Sequence, residues 1–242
     1  MKQFFRSWFK GSKAQAIDDF MALFRKELSA LRSDILHPYY GVKIKAYLDT
    51  VNFIETQMPD AMMCLNQNEL FNLALSKMEI SGMAAEFGVK SGKTINKLAT
   101  KEQLKKQIIH GFDSFVGLPE DWSGNRSRAG KLSNLGKLPK VAKNVRLHQG
   151  WFKDVLPDFL AANKENFNFI HIDCDLYSST KDVLTAINSR IISGTVIMYD
   201  EFFNYPNWRN HEYKAFMEFA ERYNIKFQYL GYANTQVAIK II

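Results

Sequence analysis

Between Gly82 and Ala99 the chain spells a strand, a glycine-bearing turn and a helix, and no other stretch constrains the fold as strongly. The apolar run Gly82–Met83–Ala84–Ala85 leads into Glu86–Phe87–Gly88–Val89–Lys90–Ser91–Gly92, and a helix-like segment, Lys93–Ala99, leaves it. Glycines let a backbone pass close to a ligand, and a helix start offers free N–H groups. An acid at the strand end, Glu86, would repel a phosphate but attract an ammonium or a hydroxyl. Backbone N–H groups for a carboxylate, beside an acid for an ammonium, suit the amino-acid end of S-adenosylmethionine. A site for another nucleotide and a plain strand–turn–helix stay open on this segment alone. A phosphate-binding P-loop is excluded because Phe87 stands where its first glycine belongs, and the dinucleotide fingerprint fails at Lys90.

From Gly82 onward apolar strands and amphipathic segments alternate. Strands are expected at Gly82–Phe87, Gln107–Phe112, Val145–Gln149, Phe167–Asp173, Thr195–Asp200, Lys226–Tyr232 and Gln236–Ile241. Helices are expected at Lys93–Ala99, Phe152–Asn163, Ser179–Ile191 and Glu212–Tyr223. Such alternation implies an α/β fold, a mostly parallel sheet covered by helices. The last two strands follow each other through a short turn and can pair as a hairpin, which makes one of the seven antiparallel. Ligands bind at the carboxyl ends of such strands. Glu86, Asp113, Asp173, Asp175 and Asp200 are all expected at that edge.

The preceding 80 residues read differently. Ile17, Phe20, Met21, Phe24, Leu28, Leu31 and Ile35 recur at helical spacing, and His37–Pro38 ends that pattern. Tyr40–Thr56 and Asn68–Met78 read as two more helices. The expected division is a helical extension over 1–80 and a catalytic domain over 81–242. The extension carries no catalytic signature and is expected to cap the ligand cleft or to form a contact in a homo-oligomer. Met1–Lys10 is basic and aromatic but too short for a signal peptide. It suits a frayed terminus, a subunit contact or a membrane surface. No apolar run reaches the length of a membrane-spanning helix. Cys64 and Cys174 are the only cysteines, which fits a reducing, cytoplasmic location, and Cys174 is expected to face away from the acids that flank it.

Net charge is +7, with an uneven distribution. Trp122–Lys153 holds no acid and eight basic residues: Arg126, Arg128, Lys131, Lys137, Lys140, Lys143, Arg146 and Lys153. It reads either as a solvated loop or as a glycine-hinged lid that attracts an anionic substrate. A nucleic-acid-binding protein or RNA methyltransferase is the alternative that the basic balance suggests, but the stretch lacks interleaved aromatics for base stacking, so no nucleic-acid partner is expected.

The remaining signals are acidic. Gly111–Phe112–Asp113–Ser114–Phe115–Val116–Gly117–Leu118–Pro119–Glu120 follows the second strand, and Asp113 lies 21 residues beyond Gly92. That is the usual interval for an acid that takes ribose hydroxyls. His171–Ile172–Asp173–Cys174–Asp175–Leu176–Tyr177 and Val196–Ile197–Met198–Tyr199–Asp200–Glu201–Phe202–Phe203 are apolar strands that end in acids. Carboxylates converging at one edge repel unless a proton or cation intervenes. A hard divalent ion, by default Mg2+, answers that, and helix capping is the bland reading. His110, His148 and His171 read as packing residues within strands. His211, in the loop after the acidic edge, reads as a base or a substrate contact. Trp151 and Phe152, after Gly150, offer a face for an adenine or pack in the core.

This set resembles the macrocin O-methyltransferase family, a metal-assisted branch of the class I methyltransferases. The resemblance runs from about Gly82 to Ile242 and rests on the E-F-G-V-x-S-G turn, D-S-F-x-G-L-P-E, D-x-D-x-Y-x-S-T and the D-E-F strand end. It implies the class I methyltransferase sheet, Rossmann-like and seven-stranded with one antiparallel strand. It also implies an S-adenosylmethionine-dependent O-methyltransferase whose acceptor is a hydroxyl of a sugar, expected here to carry an anionic group. Donor contacts are expected from Glu86, Gly88, Ser91, Gly92, Asp113, Ser114, Gly150, Trp151, Phe152 and Asp173. Carried over residue by residue, the resemblance makes Asp173 a metal ligand and Asp175 a catalytic base. Asp200 and Glu201 are the further metal candidates: where the family often has two adjacent acids, Tyr199–Asp200–Glu201 stands here, with Asp200 in its place, Tyr199 as one neighbour and Glu201 as the next acid.

Overall fold

The computed structural model describes residues 18–26, 29 and 37–242. Two compact units divide it, Met1–Lys45 and Ala46–Ile242. In the first, residues 18–26 are helical and Phe20 stacks on Phe24 with centroids 6.1 Å apart. Ile17, Leu28, Leu31 and Ile35 of the expected stripe, and all of Met1–Lys10, lie outside the described residues. Helix α1, Pro38–Gln57, opens with proline, whose missing N–H is no loss in a first turn. The His37 ring nitrogen Nδ1 accepts the N–H of Tyr39 at 3.1 Å, so His37–Pro38 starts this helix.

The second unit is built on one sheet. Its strands are β1 Met62–Met63, β2 Met83–Phe87, β3 Ile109–Asp113, β4 Val145–Gln149, β5 Phe167–Ile172, β6 Val196–Tyr199, β7 Phe227–Ala233 and β8 Gln236–Ile241, in the order β1-β7-β8-β6-β5-β2-β3-β4. All pairings are parallel except those of β8 with β6 and β7. The seven expected strands are present, with β8 as the reversed one. The eighth, β1, lies in a region the sequence marks as helical, because two residues are too few to show alternation. Strands β2, β5 and β6 are buried along their whole length, which is why they read as unbroken apolar runs.

Helices cover both faces. On one, α4 Phe152–Ala162, α5 Tyr177–Ile187 and α6 Glu212–Arg222 pack with Phe53 of α1 against Phe87, Ile172, Ile197 and Tyr199. On the other, α2 Gln67–Ser76 and α3 Lys93–Ala99 pack on Ala84, Ile109, Phe169 and Met198. Asn66 caps α2 by accepting the N–H groups of Asn68 and Glu69, and Glu69 reaches back to the N–H of Leu65. Phe53 meets the rings of Phe202, Phe203 and Trp208 at 5.5–6.5 Å, which fastens the segment after β6.

Register brings the functional edge together. Ile172 pairs with Phe87 on one side and Tyr199 on the other. The ladder runs one residue further: the N–H groups of Gly88, Asp173 and Asp200 donate to the carbonyls of Phe112, Phe87 and Ile172 at 2.8–2.9 Å. Gly88, Asp173 and Asp200 therefore emerge side by side.

Candidate functional site

Gly88 has φ 96°, and a Cβ there would lie 1.7 Å from the carbonyl oxygen of Asp173. Only glycine permits both this left-handed backbone and the close approach of the β2 and β5 ends. The turn is then shaped by Asp113. Its Oδ2 accepts the N–H groups of Val89 at 2.8 Å and Lys90 at 2.6 Å, and its Oδ1 accepts that of Phe115 at 2.6 Å. A carboxylate has about four acceptor positions, so lone-pair capacity is left for a hydroxyl.

A cavity of about 360 Å³ opens beside this turn, within the range of small-molecule sites. Of the expected donor residues, Gly88, Asp113, Ser114, Gly150, Trp151, Phe152 and Asp173 line it, together with Asp175, Asp200 and Glu201. Glu86, Ser91, Gly92 and His211 do not. Sequence reasoning missed Lys90, Leu118, Trp122, Leu132 and Ser179, and it aimed Cys174 at the opposite side, although that residue also lines the cavity. Cys174 lies beyond the end of β5, where strand alternation no longer governs direction. None of the eight cations of Trp122–Lys153 lines the cavity; that stretch contributes Trp122 and Leu132, with Gly150, Trp151 and Phe152 from its far end.

Glu86 and His211 are both buried inside the fold. Strand β2 ends at Phe87, so Glu86 stands one residue inside it, fully buried. Its Oε1 lies 3.6 Å from Nδ1 of His171, and neither of its oxygens has a hydrogen-bond partner. Burial raises its pKa, partly offset by His171. The buried His211 directs Nε2 at the carbonyl oxygen of Ser123, 2.8 Å away, which puts the proton on Nε2. It thereby holds the start of the basic stretch. There Gly124 lies so close to Pro206 that a Cβ would meet its carbonyl oxygen at 2.3 Å. This glycine serves close packing, which speaks against a hinge at that position. His110 and His148 touch at 3.1 Å between Phe112 and Phe159, and burial lowers the pKa of His110 to about 4.

The acids converge, though not in the expected grouping. Ligand atoms of Asp173, Asp175 and Glu201 all lie within 4.8 Å of one another. Asp200 lies outside that trio: its Oδ1 accepts from Nε2 of Gln67 at 2.7 Å and of Gln236 at 3.2 Å. Burial, reinforced by the Asp200 charge, holds Asp173 and Glu201 well above the usual carboxylate range and raises Asp175 to about 7. Oε2 of Glu201 is buried without a partner. Asp175 also has φ 65°, unusual for a residue with a side chain. Glu212, which the sequence did not single out, is fully buried directly behind this group.

The sequence profile of the macrocin O-methyltransferase (TylF) family matches residues 65–229. The chain belongs to that family. Its matched stretch begins ahead of α2 and so takes in Gln67, the partner of Asp200. The chain is 27% identical over 137 residues to the demethyldecarbamoylnovobiocin O-methyltransferase of Streptomyces niveus, which covers 49% of this chain and 51% of that protein. It is 30% identical over 94 residues to the mycinamicin III 3''-O-methyltransferase of Micromonospora griseorubida, or 39% of this chain and 34% of that one. The chain thus spans about half the length of the first relative and a third of the second. The fold is that of the calicheamicin methyltransferase CalS11, with a TM-score of 0.57 at 22% identity over 72% of this chain and 76% of that one. It is likewise that of the O-methyltransferase NovP, with a TM-score of 0.56 at 20% identity over 71% and 78%. No helix among the described residues is long and apolar enough to cross a membrane.

Proposed function

We propose that this macrocin O-methyltransferase family member transfers a methyl group from S-adenosylmethionine to a hydroxyl of a sugar or sugar-containing metabolite. The observation that carries the reading is the meeting of a glycine-only turn and a convergent acid group on one cavity. Both relatives are named as O-methyltransferases, and the structural neighbour CalS11 as a TDP-rhamnose 3'-O-methyltransferase, which favours a sugar hydroxyl as acceptor.

Gly88 and the Asp113-braced turn would receive the donor, with Ser114 and Gly150–Phe152 walling the same side of the cavity. Asp173, Asp175 and Glu201 fit a hard cation, since three oxygen donors stand close together, that of Asp175 buried and the other two half-buried, and one oxygen of Glu201 lacks any partner. A bound Mg2+ would offset their charge and act as a Lewis acid toward the acceptor hydroxyl. Asp175 lines the cavity beside Asp173 and Glu201, where its carboxylate would be the base that takes the hydroxyl proton. Holding donor and acceptor in line within one cavity supplies the remaining rate advantage through positioning. An anionic group on the acceptor would meet Lys90, the one cation lining the cavity among the described residues. With the eight cations of the basic stretch elsewhere, a small acceptor is favoured over a nucleic acid.

Calorimetric titration of S-adenosylhomocysteine with and without Mg2+, followed by methylation assays on sugar acceptors, tests the reading. Donor binding and Mg2+-dependent turnover are expected. Absence of S-adenosylhomocysteine binding to folded protein would overturn it.

A further inference from the structure

Glu212 is the first residue of α6, and an acid there would ordinarily serve its own helix by facing the free N–H groups of the first turn. This one does not. Its Oε1 accepts the backbone N–H of Asp175 at 3.1 Å and its Oε2 accepts that of Glu201 at 3.1 Å. The two donors lie 37 and 11 residues away in the chain, on the separate loops that leave β5 and β6. One carboxylate thus ties together the backbones of two members of the Asp173–Asp175–Glu201 group.

The tie acts where the chain needs it. Asp175 holds φ 65° without being glycine, and such a conformation persists only when the surroundings dictate it. Its N–H is directed into the protein and ends on Glu212, which leaves the side chain for the cavity. Glu212 is fully buried and does not line that cavity. Its geometry demands two acceptors. A glutamine would present one oxygen and one NH2, so one of the two N–H groups would face a donor, and an alanine would leave both buried N–H groups unpaired.

We propose that Glu212 is a positioning residue: it staples the loops after β5 and β6 so that Asp175 and Glu201 converge with Asp173 on one divalent cation. The inference rests on the metal-assisted reading given above. It assigns no contact between Glu212 and either substrate.

The test is Glu212→Gln in the full chain, with Mn2+ as the probe ion. Mn2+ affinity is read by electron paramagnetic resonance, S-adenosylhomocysteine affinity by calorimetry and folding by circular dichroism. At least a tenfold loss of Mn2+ affinity is expected, with S-adenosylhomocysteine affinity within twofold of wild type. A folded variant that keeps wild-type Mn2+ affinity overturns the proposal, and so does a parallel loss of both affinities, which would mark a general weakening of the fold. If wild-type protein binds no Mn2+, the metal reading falls and this proposal with it; Mn2+ binding retained by the variant removes this proposal alone. Should Glu212→Gln not fold, Glu212→Asp carries the same test. It keeps charge and both acceptors but withdraws them by one methylene, and lost Mn2+ affinity with retained S-adenosylhomocysteine affinity supports the staple, whereas retained Mn2+ affinity overturns it.

Discussion

The two halves of the cavity are built on opposite principles. The half around Gly88 and Asp113 is made of backbone held in place: a turn that accepts no side chain, and a carboxylate already bonded to three N–H groups. The half at the ends of β5 and β6 is made of partly buried carboxylates at close quarters, with pKa values pushed upward and a Glu201 oxygen left without a partner. The first is satisfied by the protein alone. The second is balanced only by protons or by a cation, because like charges taken out of water penalise each other. On the proposed function, the preorganised backbone would receive the donor and the converged acids would act on the acceptor hydroxyl.

Substitutions that breach the boundary between the halves should have the largest effect. Gly88→Ala places a methyl group against the Asp173 carbonyl oxygen, so both halves should fail together. A loss of roughly 4 kcal/mol or more in stability is expected, the range reserved for severe steric conflict. Chemical denaturation measures it, and a near-neutral result would mean that the β2 and β5 ends are not held as closely as described.

Asp173→Asn should strike the acidic half alone. Turnover should fall by about a hundredfold or more, the scale at which loss of a group acting on the reacting centre is felt. S-adenosylhomocysteine affinity should stay near wild type. Initial rates paired with calorimetry decide the matter, and equal losses in both would erase the distinction between the halves.

Asp113→Ala removes the brace of the turn after β2, the proposed donor site. Three backbone N–H groups lose their acceptor, and about 1–3 kcal/mol of S-adenosylhomocysteine affinity should go with them, or roughly 5- to 150-fold in Kd. Metal affinity should hold. A Kd unchanged in folded Asp113→Ala would show that the turn keeps its shape unaided.

The smallest effect is in pH dependence. Asp175 titrates near 7 in the folded chain, above its ordinary value near 4, so the folded state binds the extra proton and stability is present below that window and lost as pH rises through it. The buried His110, with its pKa lowered to about 4, acts in the opposite sense below about 6.5, the ordinary histidine value. Between about pH 6.5 and 8, metal-free protein should therefore melt a few degrees lower as pH rises, and Asp175→Asn, with asparagine tolerant of the left-handed backbone, should flatten the slope. Mg2+ should raise the melting temperature more at pH 8 than at pH 6.5. An equal slope in wild type and variant would show that Asp175 does not carry the effect.

The sheet was legible because its signal is local. Val145–Gln149 and Gln236–Ile241 form strands at the expected residues, and Lys93–Ala99 is a helix as expected. The acids of β5 and β6 stood out for the same reason, as charges ending apolar runs. Their grouping was hidden. Asp200 looks like a ligand in sequence, but its contact with Gln67 spans 133 residues and that with Gln236 spans 36. His211 looks like a free base until Ser123, 88 residues away, occupies its Nε2.

The sequence by itself determined the alternation of strands and helices, the glycine at the end of β2 and the stock of acids at the ends of β5 and β6, because apolar periodicity, glycine's conformational freedom and chain position act over a few residues. Only the tertiary structure decided which acids face one another, which are already engaged and which backbone groups Glu212 holds. Those depend on strand register and on where α2 and α6 dock, and hydrogen bonds that close over 37 or 133 residues leave no periodic trace in the chain.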